Sequence, residues 1–213
     1  MRIDPSRDAL LVVDLQHDFL PGGALAVQGG DEVVGPIARL APAFETVIAT
    51  QDFHPEGHVS FASAHPGKQP YEAVALPFGR QELWPDHCVR GAHGAQLHPG
   101  LPDRAVTLVL RKGTRRDADS YSAFRENVGP DGKRSSTGLA AWLDARGQRR
   151  VLVCGLARDF CVKWSALDAA AAGFETYLLD DLTRAVFPAR RGEVDAAFAS
   201  AGVKVIEAHD LES

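Results

Sequence analysis

Nowhere does this chain approach the ~18 consecutive apolar residues that a membrane-spanning helix needs, so no membrane span is expected. Cysteine is scarce: three in 213 residues is too few for the disulfide framework of a small secreted protein. Excess positive charge is absent as well. The formal net charge is −5, and the densest basic stretch, residues 111–116, is interrupted by Gly113 and Thr114, so nucleic-acid binding is not expected. The start, Met1-Arg2-Ile3-Asp4-Pro5, lacks the apolar core of a secretory signal, which makes the cytoplasm the expected location. Neither an internal repeat nor a low-complexity segment is found. What is present is ordinary for one α/β domain spanning 1–213: 45% hydrophobic and 24% charged residues, in a chain long enough to bury a substantial core. Self-association into a homo-oligomer is compatible with such a chain.

Apolar runs at 9–14, 47–50, 106–110, 151–154, 176–179 and 203–206 read as strands. Helical stripes lie between them: Val33, Val34, Ile37 and Leu40, with Pro36 in the first turn; Leu139, Trp142 and Leu143; and Val194, Ala197, Phe198 and Ala201. Gly147, Gly173 and Gly202 each follow a helical or apolar stripe and precede a strand, as C-terminal caps do. Strand–helix alternation of this kind predicts a three-layer α/β/α fold on a six-stranded, mainly parallel sheet. Residues 59–102 do not fit the alternation. They are rich in Pro, Gly and His, and too long for a plain connector, so they read as an insertion that caps the site, with a disordered tip at 65–69 compatible with that reading.

Three stretches carry chemistry. Cys161 follows the strand 151–154 and opens an apolar helix, the place of a nucleophile elbow built with sulfur. Backbone N–H groups and the helix dipole there favour a thiolate, although a free cysteine in such a place also serves as a small buried hydrophobe. Asp14 ends an apolar run and so stands at the carboxyl edge of the sheet, where ligands bind in open α/β folds; a turn or cap role is the alternative. The third stretch is Gln51-Asp52-Phe53-His54-Pro55-Glu56-Gly57-His58. Asp52 and His54 share one face of an extended segment, and Gly57 lets His58 return to the same point. One carboxylate and two imidazoles so close together suit a divalent first-row metal.

Together these stretches resemble the nicotinamidases of the isochorismatase-like cysteine hydrolases. The markers, in order, are VVDLQHDFLPGGAL, QDFHPEGHVSF, LWPDHCV, RKG, DSYSAF and GLARDFCVKWSALDA, from about residue 9 to about residue 206. The resemblance implies the Rossmann-like fold of that family. It also implies hydrolysis of nicotinamide to nicotinate and ammonia through a thioester, with pyrazinamide as a further substrate. The catalytic trio it implies is Asp14, Lys112 and Cys161, with the backbone amides of Ala157 and Cys161 as oxyanion donors. One divalent ion (Zn, Fe or Mn) is implied on Asp52, His54, His58 and His87. The pyridine pocket falls on Phe19, Trp84, Tyr121 and Leu156, and a non-proline cis peptide on Leu156–Ala157. Arg158 and Phe160 depart from the residues many members carry beside the nucleophile and are read as tuning the site entrance.

Other residues receive plainer readings. Cys88 and Cys154 read as packing, His17, His65, His93, His98 and His209 as loop or surface residues, and Trp142 and Trp164 as core. Two further classes of function compete with the amidase. A non-haem iron oxygenase would use two His and one carboxylate but leaves Cys161, Asp14 and Lys112 unexplained. A dithiol redox protein would use Cys154 and Cys161, which lack Cys-x-x-Cys spacing. Within the same superfamily, a hydrolase of ureido or carbamoyl amides would not need all four metal candidates.

Overall fold

The computed structural model describes residues 1–212. Its main sheet has the order β5-β2-β1-β6-β7-β8, formed by β1 (Asp8–Val13), β2 (Thr46–Asp52), β5 (Leu108–Lys112), β6 (Arg150–Leu156), β7 (Glu175–Arg184) and β8 (Lys204–Ile206). Every pairing in it is parallel. The reason lies in the residues: β1 and β2 are buried along their whole length, as strands covered on both faces must be.

Alternate residues of each central strand feed two separate cores. Leu10, Val12, Val47, Ala49, Leu152 and Cys154 pack on one face, with Ile37 of α1 (Val34–Leu40). Ala9, Leu11, Val13, Ile48, Val151 and Val153 pack on the other, against α2 (Leu139–Ala145), α3 (Cys161–Ala171) and α4 (Arg191–Ser200). This is the three-layer arrangement the alternation predicts. A fully buried Phe198 or Leu143 contributes roughly 1.5–3 kcal/mol by leaving water, and truncating Phe198 to alanine would cost about 3–5 kcal/mol. Pro36 falls in the first turn of α1, where its missing N–H has no acceptor to lose. Gly147, Gly173 and Gly202 all adopt positive φ at helix ends.

Four features differ from the sequence expectation. The strand expected at 106–110 forms at Leu108–Lys112, because at the sheet edge its residues alternate between half-buried and exposed and the apolar run no longer marks its ends. The seventh strand continues to Arg184, beyond a register shift opposite Val153 and Gly155. Residues 59–102 contain an antiparallel hairpin, β3 (Ala73–Leu76) and β4 (Gly79–Glu82), and residues 65–69 turn through a Lys68 N–H bond to the His65 carbonyl. Trp142 is partly buried and packs against the core on the α2–α4 face, whereas Trp164 is 36% exposed and is not core. Trp164 faces outward from the first turn of α3, with Arg134 and Lys163 over its ring at 5.8 and 5.3 Å. No helix among the described residues is long and apolar enough to cross a membrane.

Candidate active site

Four neighbouring strands deliver four reactive side chains to one edge of the sheet. Lys112 ends β5, Asp52 ends β2, Asp14 follows β1 and Cys161 follows β6 by way of a short turn. Gly155 makes this possible: a Cβ there would lie 2.2 Å from the Val13 carbonyl oxygen, so only glycine lets β6 lie so close to β1. Lys112 is the hub. Its Nζ lies 2.8 Å from Asp14 Oδ2 and 3.3 Å from Cys161 Sγ, donates to the Ser120 carbonyl at 3.2 Å, and is in close contact with Asp52 Oδ1. Asp14 also accepts from the Thr50 hydroxyl at 2.6 Å. All four charged or thiol side chains are buried.

Electrostatics sets their resting states. Burial raises the Asp14 carboxyl above its usual range; Lys112 opposes this and Asp52 adds to it. Burial also drives the Cys161 thiol well above its ordinary value; Lys112 pulls it down, while Asp14 and Asp52 push it up. The helix N-terminus favours a thiolate, whereas burial and the two nearby carboxylates work the other way and keep the proton on sulfur until a base takes it. Burial alone would discharge Lys112, but the Asp14 and Asp52 carboxylates hold it charged, far above the usual lysine value. A neutral thiol beside a carboxylate with raised proton affinity is an acid–base pair ready for proton transfer.

The metal candidates form two overlapping groups. Ligand atoms of Asp52, His54 and His87 lie within 4.8 Å of one another, and so do those of His54, His58 and Asp119. His54 and His87 engage the Gly113 and Pro85 carbonyls through Nδ1, at 2.9 and 2.8 Å. A carbonyl only accepts, so Nδ1 carries a proton in each ring, and each Nε2 is turned toward Asp52 Oδ2, at 3.5 and 3.9 Å. Orientation of ligand imidazoles through the other ring nitrogen is what a metal centre requires, and the donor set fits a divalent ion. Gly113 is needed here, because a Cβ would lie 2.3 Å from the His54 ring. His87 is lowered to about 4 by burial and then by His54, so it is neutral at pH 7.

His58 departs from the four-ligand expectation. Its ring stacks on His54 at 4.2 Å, but Nδ1 meets Ser60 Oγ at 2.7 Å and Nε2 meets the Ala118 carbonyl at 3.2 Å. It therefore groups with Asp119 rather than with Asp52 and His87. Asp119, which opens the DSYSAF motif, is a site residue that the sequence reading misses; its carboxylate accepts from Gln81 of β4 at 2.8 Å.

A narrow cavity opens onto Cys161, Asp52 and His87, walled by Phe19, Trp84, Tyr121 and Ala157. Leu25, Phe160 and Val186 complete the wall. Phe160 lies beside the nucleophile in sequence and Leu25 closes the first marker motif, whereas Val186 carries no signal in the sequence. Leu156 does not line the cavity: it ends β6 with its side chain fully buried in the core on the α1 face. Arg158 does not reach the site either, because it turns away to pair with Asp180 and Asp195 at 2.7 and 2.6 Å. The Leu156–Ala157 peptide is cis. Among the described residues the amides of Ala157 and Cys161 donate to no protein acceptor and are free to serve a ligand. Cys88 and Cys154 are buried and unpaired, so no dithiol pair exists with Cys161.

Comparison with known proteins agrees with this geometry. A family model described as an isochorismatase domain matches residues 8–210. A nicotinamidase of Acinetobacter baylyi is 48% identical over 178 residues, covering 84% of this chain and 81% of the relative. The solved nicotinamidase/pyrazinamidase of Acinetobacter baumanii superposes with a TM-score of 0.92 at 43% identity, over 98% of this chain and 99% of that one. A pyrazinamidase of Pyrococcus horikoshii, solved in complex with zinc, gives a TM-score of 0.76 at 34% identity, over 94% and 99%.

Proposed function

The chain belongs to the isochorismatase family, and from that premise we propose that it hydrolyses nicotinamide to nicotinate and ammonia, and pyrazinamide likewise. The observation that carries this reading is the junction at Lys112. One buried ammonium joins an acid–base carboxylate, a thiol and the carboxylate of a metal-ligand group, all beside a cavity with aromatic walls.

In this reading Asp14 takes the thiol proton of Cys161 as sulfur attacks the carboxamide carbon. The amides of Ala157 and Cys161 receive the developing oxyanion, one such donor being worth about 3–4 kcal/mol. Lys112 offsets the negative charge that appears on sulfur and keeps Asp14 turned toward it. Asp14 then returns the proton to the departing nitrogen, and ammonia leaves with a thioester on Cys161. Asp14 next draws a proton from the water that cleaves the thioester. Phe19, Trp84 and Tyr121 hold the pyridine ring. Asp52, His54 and His87 would bind a divalent ion (Zn, Fe or Mn), with His58 and Asp119 behind them; when bound, it supplies a Lewis-acidic anchor for the ring nitrogen. We place residues 59–102 as the cap of this one-domain enzyme, and the cytoplasm, where three unpaired cysteines stay reduced, as its compartment.

The test is ammonia release from nicotinamide by the purified protein, its Cys161→Ala variant and a chelator-stripped sample. Release by the parent alone supports thiol and metal together; release lost only in Cys161→Ala removes the metal from the reaction. No release from the parent overturns the reading.

A further inference from the structure

The wall of the catalytic cavity includes Val186, in the segment 185–188 that follows β7. That segment separates two spaces. Val186 lines the catalytic cavity, which is small at about 30 Å³. Ala185, Phe187 and Pro188 line a second cavity of about 510 Å³ behind it. The segment thus has room to withdraw, and something must hold it forward. Asp159 is placed to do so. It is 3% exposed, two residues before Cys161, and its two carboxylate oxygens accept separately from the Val186 and Phe187 amides, at 2.9 and 2.8 Å. Both bonds are charge-assisted, and no other hydrogen bond ties either of those two amides. Forward placement also seats the Phe187 ring against Phe160 and Trp84, at 6.0 and 6.5 Å between centroids.

We infer that Asp159 is a positioning residue: by gripping the Val186 and Phe187 amides it fixes the Val186 part of the catalytic cavity's wall and thereby limits the size of ring that the site accepts. This rests on the amide-hydrolase reading above. Asp159 touches neither the reacting atoms nor the ring; it acts through Val186.

Asp159→Asn is the discriminating variant. It keeps the shape but presents an NH₂ group where an oxygen accepted, so one of the two amides faces a donor. Amide hydrogen exchange across 185–188, followed by mass spectrometry, should quicken by about tenfold or more, the scale expected for losing a charge-assisted bond. In kinetics, preference for nicotinamide over ring-methylated nicotinamides should fall by about 3–10-fold, mainly through KM, with kcat within about threefold. Alkylation of Cys161 should proceed at the parental rate. Unchanged exchange overturns the grip whatever the substrate is. Faster exchange with unchanged ring preference overturns the wall, as does a loss in kcat alone. If Asp159→Asn does not fold, Val186→Ala decides the question: it should relax ring preference with exchange intact, and unaltered preference overturns the inference. Failure of the parent protein to release ammonia would refute the functional reading, while the exchange measurement would still judge the grip.

Discussion

Asp14, Asp52, Lys112 and Cys161 emerge from the ends of four adjacent parallel strands, whereas Phe19, Leu25, Trp84 and Val186 come from turns and connecting segments. The first set is held by sheet register. Moving Lys112 relative to Asp14 would require sliding β5 past β2 or β2 past β1, and either breaks the parallel ladder between the two strands. The second set is held by turn and bridge hydrogen bonds, such as that from the Trp84 amide to the Ser60 carbonyl at 2.8 Å, by side-chain packing, and by the Asp159 bonds to the Val186 and Phe187 amides. Reactive atoms therefore sit on the rigid part of the molecule, and ring recognition on the part that a few hydrogen bonds position.

The largest effects should come from the strand-end set. Cys161→Ala should reduce turnover by about 10⁴–10⁶-fold, read as ammonia release, with metal content by elemental analysis unchanged. A comparable metal loss in that variant would show that the thiol belongs to the metal centre, collapsing the division between the two sets.

Lys112→Met should be next. It leaves the Asp14 and Asp52 carboxylates buried without their shared cation, a change worth about 3–5 kcal/mol in urea unfolding at pH 7. The pH dependence has a definite sign. Asp14 has a raised affinity for its proton in the folded protein, so the fold binds that proton more tightly than the unfolded chain does. Without Lys112 that affinity rises further, and the deficit relative to the parent should shrink as pH falls from 7 toward 5. A deficit that stays constant over this range would mean that the lysine stem, not its charge, stabilises the fold.

His87→Ala tests the metal group from the loop side. It should weaken metal binding by about 100-fold or more, measured by competition with a chelator, while iodoacetamide still labels Cys161. Phe19→Leu should raise KM for nicotinamide by about 3–10-fold with little change in kcat, since it removes an aromatic face and leaves the reacting atoms alone.

The same division governs how much could be read in the sequence. Strands buried on both faces appear as unbroken apolar runs, so a charged or thiol residue just past such a run announces a site; Asp14, Asp52 and Cys161 are visible for that reason. The edge strand β5 alternates in burial, and its boundary is displaced by two residues from the apolar run. The hairpin β3–β4 is hidden because each strand has only four residues, with no long alternation to reveal it. Val186 is invisible because an ordinary apolar residue in a connector carries no local mark of what it faces. Arg158 misleads for a related reason: it neighbours the nucleophile in sequence, yet its partners Asp180 and Asp195 stand on β7 and α4, and they turn it away.

Trp164 supplies the smallest expected effect and the sharpest contrast with Trp84. Both are tryptophans near the catalytic end of the sheet, but Trp84 is 4% exposed and lines the cavity, whereas Trp164 is 36% exposed. Its ring contacts the cations Arg134 and Lys163, and at an exposed site such contacts contribute about 0.5–1 kcal/mol. Arg134 keeps its two bonds to Asp168, at 3.0 and 2.7 Å, whether or not the indole is there. Trp164→Ser should therefore lower stability by at most about 1 kcal/mol in urea unfolding, with KM for nicotinamide unchanged. A loss of about 3 kcal/mol, the scale of a buried aromatic, would mean that this face is covered in solution and that the contrast with Trp84 is one of partner rather than exposure.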